Sequence, residues 1–335
     1  MIVAWVGIVI AGIMGGSWAV PSKRIRHLSW DQTWLIYCII ALVVLPVCLA
    51  LVAAPVLFQK VFPENARAVL VIALCGVSFG AGSALYGASI PRLGFALSNA
   101  IVCGTVTLLG SLGPLIVGGA AIGTGEGGRL AFGLSLLLAG IGVSTLASVL
   151  RDQGAGATGS VRPSLASSLI GVAIAILSGC LSAMLNTGFA YGGRLIEKAT
   201  ALGIAPVAAS MAVWVPALFG GFLVNLVVVA FKISRAKQWG NFREAPATDW
   251  LRATSLGFLW FGNVVIYSIS AAALGSAGAV YGFAVTGGVA ILASSAWGFG
   301  TGEWKHAGLA ARLWALGSVV LFLFAFATLA STKEL

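Results

Sequence analysis

Three residues with chemistry beyond packing share one helical face in the last third of the chain: Trp260, Asn263 and Tyr267, at i, i+3 and i+7. An indole, an amide and a phenol so arranged can stack on the C–H face of a ring and satisfy hydroxyls, which is what a neutral, hydroxyl-rich solute requires. The spacing recurs at an offset of 181, as Phe79, Gly82 and Tyr86, and two such faces are expected to wall one cavity. Asn186 with Ser182 and Ser178 makes a second polar stripe, and Asn225 and Asn99 are isolated amides. Helix-to-helix hydrogen bonding is the plain alternative for all of these. Trp18, Trp214 and Tyr281 are further binding candidates, whereas Trp30, Trp34, Trp239, Trp250 and Trp304 lie near loops and read as interfacial belt residues.

Proton chemistry has few places to reside. All nine acids (Asp31, Glu64, Glu126, Asp152, Glu197, Glu244, Asp249, Glu303 and Glu334) fall in loops or at the ends of apolar runs, so no carboxylate is expected at mid-membrane. Glu126 and Glu303 are the coupling candidates, with capping of the fifth and tenth helices as the alternative; Asp31, His27 and His306 are the other end residues available. On this count alone, transport should depend only weakly on a proton gradient. The turn GTGEGG at 123 to 128 follows no strand and is not followed by Gly-Lys-Ser/Thr, and HExxH and CxxC are absent. An enzyme is not expected, nor a metal or cofactor, and the five cysteines read as small packing residues.

The elements that must position these residues follow from composition. In 335 residues, 59% are hydrophobic and 8% charged, against the ~25% charged of soluble domains, which excludes a soluble enzyme and a disordered chain. The apolar residues suffice for about ten membrane-spanning helices of ~20 residues. Spans are expected near 2 to 21, 33 to 57, 68 to 90, 95 to 121, 130 to 150, 165 to 191, 207 to 231, 253 to 274, 279 to 300 and 309 to 330. The first has no basic residue before it and reads as a retained helix. Of nineteen Lys and Arg, six (Lys60, Arg67, Arg129, Arg194, Lys198 and Lys333) fall on the face holding both termini and the rest on the other. The positive-inside bias then makes the richer face cytoplasmic and both termini periplasmic.

The halves match weakly but in order. Tyr86 before Leu93-Gly94 recurs as Tyr267 before Leu274-Gly275, GTGE at 123 to 126 recurs at 300 to 303, and Lys23 matches Arg194. This predicts an all-α polytopic protein of ten transmembrane helices as a five-plus-five repeat: residues 1 to 150, a linker at 151 to 164, and residues 165 to 335. Five is odd, so the copies are inverted, an arrangement used for alternating access.

The stretches GGSWAVPSKRIRHLSWDQTW (15 to 34), LYGASIPRLG (85 to 94), EGGR (126 to 129), SGCLSAMLN (178 to 186), GGFLVN (220 to 225), LWFGNVVIY (259 to 267) and GEWKHAG (302 to 308) together resemble the L-rhamnose-proton symporter family of the drug/metabolite transporter superfamily. The resemblance implies ten helices, an inverted repeat and uptake of a deoxyhexose across a bacterial inner membrane. It departs from the enterobacterial pattern at SAGAVYGF (276 to 283), where an acidic residue among aromatics is lacking. The leading expectation is therefore a secondary transporter of a monosaccharide, with L-rhamnose or a related sugar first and protons as possible co-substrate. The rival is a transporter of another small solute, an amino acid or a nucleobase; an amino acid would need an added charge in the cavity. The lipid bilayer is the other expected partner, and no nucleic acid is expected.

Overall fold

The computed structural model describes residues 2–93, 98, 101–110, 125–154, 165–275, 278–302, 304–305 and 307–330. Among the described residues there is helix and turn and no strand. The long helices are α1 (Ile2–Ser17), α2 (Trp30–Ala53), α3 (Ala66–Leu93), α4 (Ile101–Gly110), α5 (Gly125–Gly154), α6 (Leu165–Tyr191), α7 (Met211–Arg235), α8 (Ala247–Ala273), α9 (Phe283–Gly300) and α10 (Leu309–Ala330). Eight helices are long and apolar enough to cross a membrane, and two further apolar helices, Ile101–Gly110 and Leu309–Ala325, are shorter. Large apolar side chains such as Val52, Val227 and Leu251 stay on the outside, which suits a surround of lipid rather than water. The chain is a multi-pass membrane protein. Its described helices begin and end within a few residues of the sequence-predicted spans. Of the fourth expected span only residues 98 and 101–110 are described, and residues 155–164 of the linker lie outside the described residues.

Helices pack where small residues allow it. α3 lies against α6 and α7, α8 against α1 and α2, α1 against α9, α2 against α7, and α5 against α10. α6 meets α4 where Gly179 sits against Thr105 and the Val102 carbonyl. Several contacts leave no room for a β-carbon, two of the closest between α3 and α7. A β-carbon on Gly76 of α3 would run into the Ala217 carbonyl of α7, and one on Gly220 would run into the Ala73 carbonyl. On α8, Gly257 plays the same part against Ile40 and Ala41 of α2.

The start of α2 is fixed by a capping box: Ser29 Oγ accepts from the Gln32 backbone N–H, and Gln32 Oε1 accepts from the Ser29 N–H at 2.8 Å. Gln32 also donates to the Gln238 carbonyl at 2.7 Å, tying α2 to the loop after α7. A π-helical turn at Ile40–Val44 lies one helical turn beyond the aromatic residues of α2. The ends of α1, α3, α7 and α9 meet the starts of α2 and α8 at one basic end of the bundle. Lys23 donates there to Thr301 Oγ1 at 3.1 Å, Lys232 lies 3.5 Å from Asp31, and Arg252 lies 3.0 Å from Asp249.

Candidate functional site

The capped start of α2 sends Trp30, Trp34 and Tyr37 along one face, at i, i+4 and i+7. Trp30 and Trp34 have ring centroids 5.6 Å apart, and Trp34 and Tyr37 are 5.0 Å apart. Trp18, in the turn just after α1, closes on both, edge-on to Trp34 at 5.9 Å and tilted to Tyr37 at 5.0 Å. Tyr37 then meets Trp260 of α8 edge-on at 6.0 Å, and Trp260 stacks on Phe79 of α3 at 6.4 Å. The stacked pair are the two residues related by the offset of 181. An aromatic column thus runs inward from the basic end, at separations where ring pairs attract.

Beside this column lies a cavity of about 320 Å³, within the ~300–1,000 Å³ usual for small-molecule sites. Its wall includes Trp30, Trp34, Ser83, Tyr86 and Asn225, with Asp31 and Lys232 as its charged members. Asn225 joins its helices: Oδ1 accepts from Trp34 Nε1 at 3.0 Å, and Nδ2 donates to the Gly221 carbonyl at 2.9 Å and reaches Ser83 Oγ at 3.4 Å. The Asp31 carboxylate and the Lys232 ammonium compensate each other's charge. A larger hollow of about 560 Å³ between α4, α5 and α6 has an almost wholly apolar lining. Its threonines 105 and 145 donate to their own helices, so it offers little to a hydroxylated solute.

On the far side of the Trp260–Phe79 stack the same residue types interlock. Tyr267 donates to Asn186 Oδ1 at 3.5 Å, Asn186 Nδ2 donates to the Gly110 carbonyl, and Trp214 Nε1 donates to Ser268 Oγ at 2.6 Å. Phe189 stacks on Trp214 at 5.0 Å and lies 6.3 Å from Tyr267, whose other side meets Phe283 at 6.1 Å. Asn186, Trp214, Tyr267 and Ser268 are all buried.

The sequence-predicted residues therefore divide. Tyr86 and Trp18 belong with the cavity and its aromatic column, Trp260 stands at the column's inner end, and Tyr267, Asn186 and Trp214 belong to the interlocked end. Tyr281 is buried in a π turn, Gly278–Gly282, ahead of α9. Tyr86 and Tyr267 point to opposite ends, each seven residues and about 10 Å of helix from the stack. Asn263 sits beside Gly15 of α1, where a β-carbon would stand 3.4 Å from its Cγ, and its buried Oδ1 has no hydrogen-bond partner among the described residues. The serine stripe of α6 faces its neighbours, Ser178 donating to the Gly82 carbonyl at 2.7 Å. Glu126 begins α5, and Glu303, His306 and Asn99 lie outside the described residues.

Two belt assignments are corrected. Trp304 is buried, stacked on Phe299 at 4.4 Å with Arg151 5.2 Å above its ring, and Trp34 lines the cavity, while Trp30, Trp239 and Trp250 do stay exposed. Trp34 was misplaced because its distance from a loop in sequence says nothing of α7, whose Asn225 draws it inward. Its spacing with Trp30 and Tyr37 was the signal available. No group of three metal-ligating side chains occurs among the described residues, and none of the five cysteines is in a disulfide there.

Comparison with known proteins adds a family. The pattern described as L-rhamnose-proton symport protein matches residues 1–330. A protein of Cronobacter sakazakii named L-rhamnose-proton symporter is 26% identical over 220 residues, covering 65% of this chain and 63% of that protein, so that match spans under two thirds of its length. The protein of the same name from an Enterobacter species is 24% identical over 318 residues, covering 91% of this chain and 90% of its own. That from Escherichia coli is 24% identical over 258 residues, 74% of each. These relatives are transporters, not enzymes.

Proposed function

The chain belongs to the L-rhamnose-proton symport family, and on that premise we propose that it is a sugar–proton symporter of the bacterial inner membrane, taking up L-rhamnose or a related deoxyhexose by alternating access. The observation that carries this is the cavity of about 320 Å³ bounded by indoles, a phenol, a hydroxyl and an amide beside the aromatic column. Indole faces suit the C–H side of a pyranose, and Ser83 and Asn225 suit its hydroxyls. Trp18, Trp260 and Asn263 form the inner part of the path, where the unpartnered Asn263 oxygen is ready to accept from a sugar hydroxyl. Tyr267, Asn186, Trp214 and Tyr281 meet the sugar when the opposite end opens.

The scaffold is a ten-crossing bundle of two inverted halves, residues 1 to 150 and 165 to 335. The helix contacts support this. α3 lies on α6 and α7 as α8 lies on α1 and α2, and α4 lies on α6 as α9 lies on α1. α2 with α7 and α5 with α10 complete the set, so adding five to each helix number turns the contacts into themselves. Gly76 and Gly257, at the offset of 181, hold equivalent close approaches. With the basic end cytoplasmic by the positive-inside bias, the termini are periplasmic and the cavity opens inward.

Asp31 takes precedence over Glu126 and Glu303 as the coupling carboxylate, because it lines the cavity and faces a cation that could hold it alternately. The same ion pair favours a second reading, a zwitterionic amino acid whose ammonium and carboxylate would replace Lys232 and Asp31. Uptake of labelled sugars into proteoliposomes, with and without an imposed proton gradient, tests both. Gradient-driven accumulation of a deoxyhexose, unaffected by excess amino acids, is expected. Accumulation of an amino acid but no sugar would replace the first reading with the second.

A further inference from the structure

A second polar hollow, of about 360 Å³, lies at the basic end between the turn after α1 and the start of α8. Four cationic side chains line it, Lys23, Arg24, Arg26 and Arg252, against one carboxylate, Asp249. That carboxylate is already committed. Its Oδ2 accepts from the backbone N–H groups of Arg26 and His27 at 3.1 and 2.9 Å and faces His27 Nδ1 at 3.1 Å, while Oδ1 accepts from Arg252 at 3.0 Å. Arg252 is committed as well, since the same Nη1 donates to the Arg24 carbonyl at 2.7 Å. Asp249 therefore acts as the buried post around which the 24–27 segment is wrapped. The guanidinium groups of Arg24 and Arg26 are exposed and have no protein partner among the described residues.

A rigid loop that holds unpaired guanidinium groups around a hollow is suited to a phosphate group, which takes charge-assisted and bidentate hydrogen bonds from arginine. The surroundings select the source of that phosphate. Thr248 lines the hollow, and Leu251, one turn further along α8 and outside the lining, is 71% exposed on the outer surface. Trp250 beside it is also exposed. The cationic hollow thus lies next to exposed apolar side chains at the end of a membrane-crossing helix, which fits a headgroup in the hollow with its acyl chains alongside them. We propose that this pocket binds the phosphate of an anionic phospholipid, phosphatidylglycerol or a relative. The site is separate from the sugar cavity, with which it shares no lining residue.

The test uses the purified full chain in neutral detergent, with native mass spectrometry counting retained phosphatidylglycerol, phosphatidylcholine as the zwitterionic control and inorganic phosphate as a competitor. The expected result is one preferentially retained phosphatidylglycerol. Its apparent affinity falls about tenfold or more in the double variant Arg24→Gln/Arg26→Gln, since each basic group near a membrane surface contributes about that order. Arg243→Gln, a basic residue at the same end outside the pocket, should leave it unchanged. Because Arg24 and Arg26 hold no other side chain, the double variant should melt at the wild-type temperature without lipid, and Arg252→Gln, which removes a strut of the loop, serves as the destabilised contrast. Equal retention of phosphatidylcholine, or equal loss in Arg243→Gln, would overturn the site in favour of diffuse attraction. Displacement by millimolar inorganic phosphate would overturn the lipid as its occupant.

Discussion

On either side of the Trp260–Phe79 stack the protein uses the same residue types to opposite ends. Towards the basic end, Trp34, Tyr86, Ser83 and Asn225 stand around a cavity of about 320 Å³. Towards the other, Tyr267, Asn186, Trp214 and Ser268 are buried against one another. The ring separations are alike at the two ends; the difference is that Phe189 and Phe283 pack onto Trp214 and Tyr267, whereas a cavity stays open beside Trp34 and Asn225. An aromatic–amide cluster is thus neither a site nor a seal by composition. In an inverted repeat the two roles are expected to exchange as the halves rock, so the comparison describes one of two states.

The largest expected effect tests that asymmetry directly. In a background with the five native cysteines replaced, Ser83→Cys should react readily with a membrane-impermeant thiol reagent applied from the basic end. Ser268→Cys should react more slowly by about tenfold to a thousandfold, if the alternative state is a minor one of ~0.1–10%. Added sugar should slow Ser83→Cys and leave the order intact. Comparable rates at both positions would remove the closed end from the account.

Next in size is Trp34→Ala. It deletes a stacking surface and leaves Asn225 Oδ1 without its donor, together about 2 kcal/mol or more, or roughly thirtyfold in the apparent KM for sugar. Trp214→Ala, its counterpart in the closed end, should instead alter the maximal rate with a smaller change in KM, because it weakens a seal. Reversal of these two profiles would reverse the roles of the ends. Asn263→Ala should weaken affinity by several-fold to about tenfold, and Trp260→Ala by at least as much, measured as competition of unlabelled sugar against labelled uptake.

How far the sequence could be read depended on whether a feature was local. The ends of the described helices were legible to within a few residues, because an apolar run of ~20 residues bounded by charges admits few other structures in lipid. The triad Trp260, Asn263 and Tyr267 was legible as one face, and the pairing of Trp260 with Phe79 was foreshadowed by the offset of 181. That Tyr86 and Tyr267 face opposite ends is not legible in the sequence, although the proposed inversion accounts for it: residues equivalent in antiparallel copies diverge in depth with distance from the axis. Trp34 reads as a belt residue, Asn225 as an isolated amide and Tyr37 as nothing in particular, because their roles arise between helices distant in sequence. Asp249 reads as an end residue, but three of its four side-chain contacts come from a segment more than 200 positions away.

The smallest effect sharpens the comparison most finely. Tyr267→Phe removes a donor from a bond at 3.5 Å, the long limit of a hydrogen bond, while leaving the ring in contact with Phe189 and Phe283. Asn186 keeps its anchor on the Gly110 carbonyl, so only Oδ1 loses a partner. A bond of that length contributes no more than about 0.5–1.5 kcal/mol, and the closed end should loosen by a few-fold. The signature is a modest rise in the labelling of Ser268→Cys in the double variant, with the KM for sugar unchanged. Phe258→Ala, a ring 56% exposed on the outer side of the same helix, should change neither. If Tyr267→Phe raised KM as strongly as Trp34→Ala, the hydroxyl would be contacting sugar in the state where the other cavity is open, and the division between the two ends would fail.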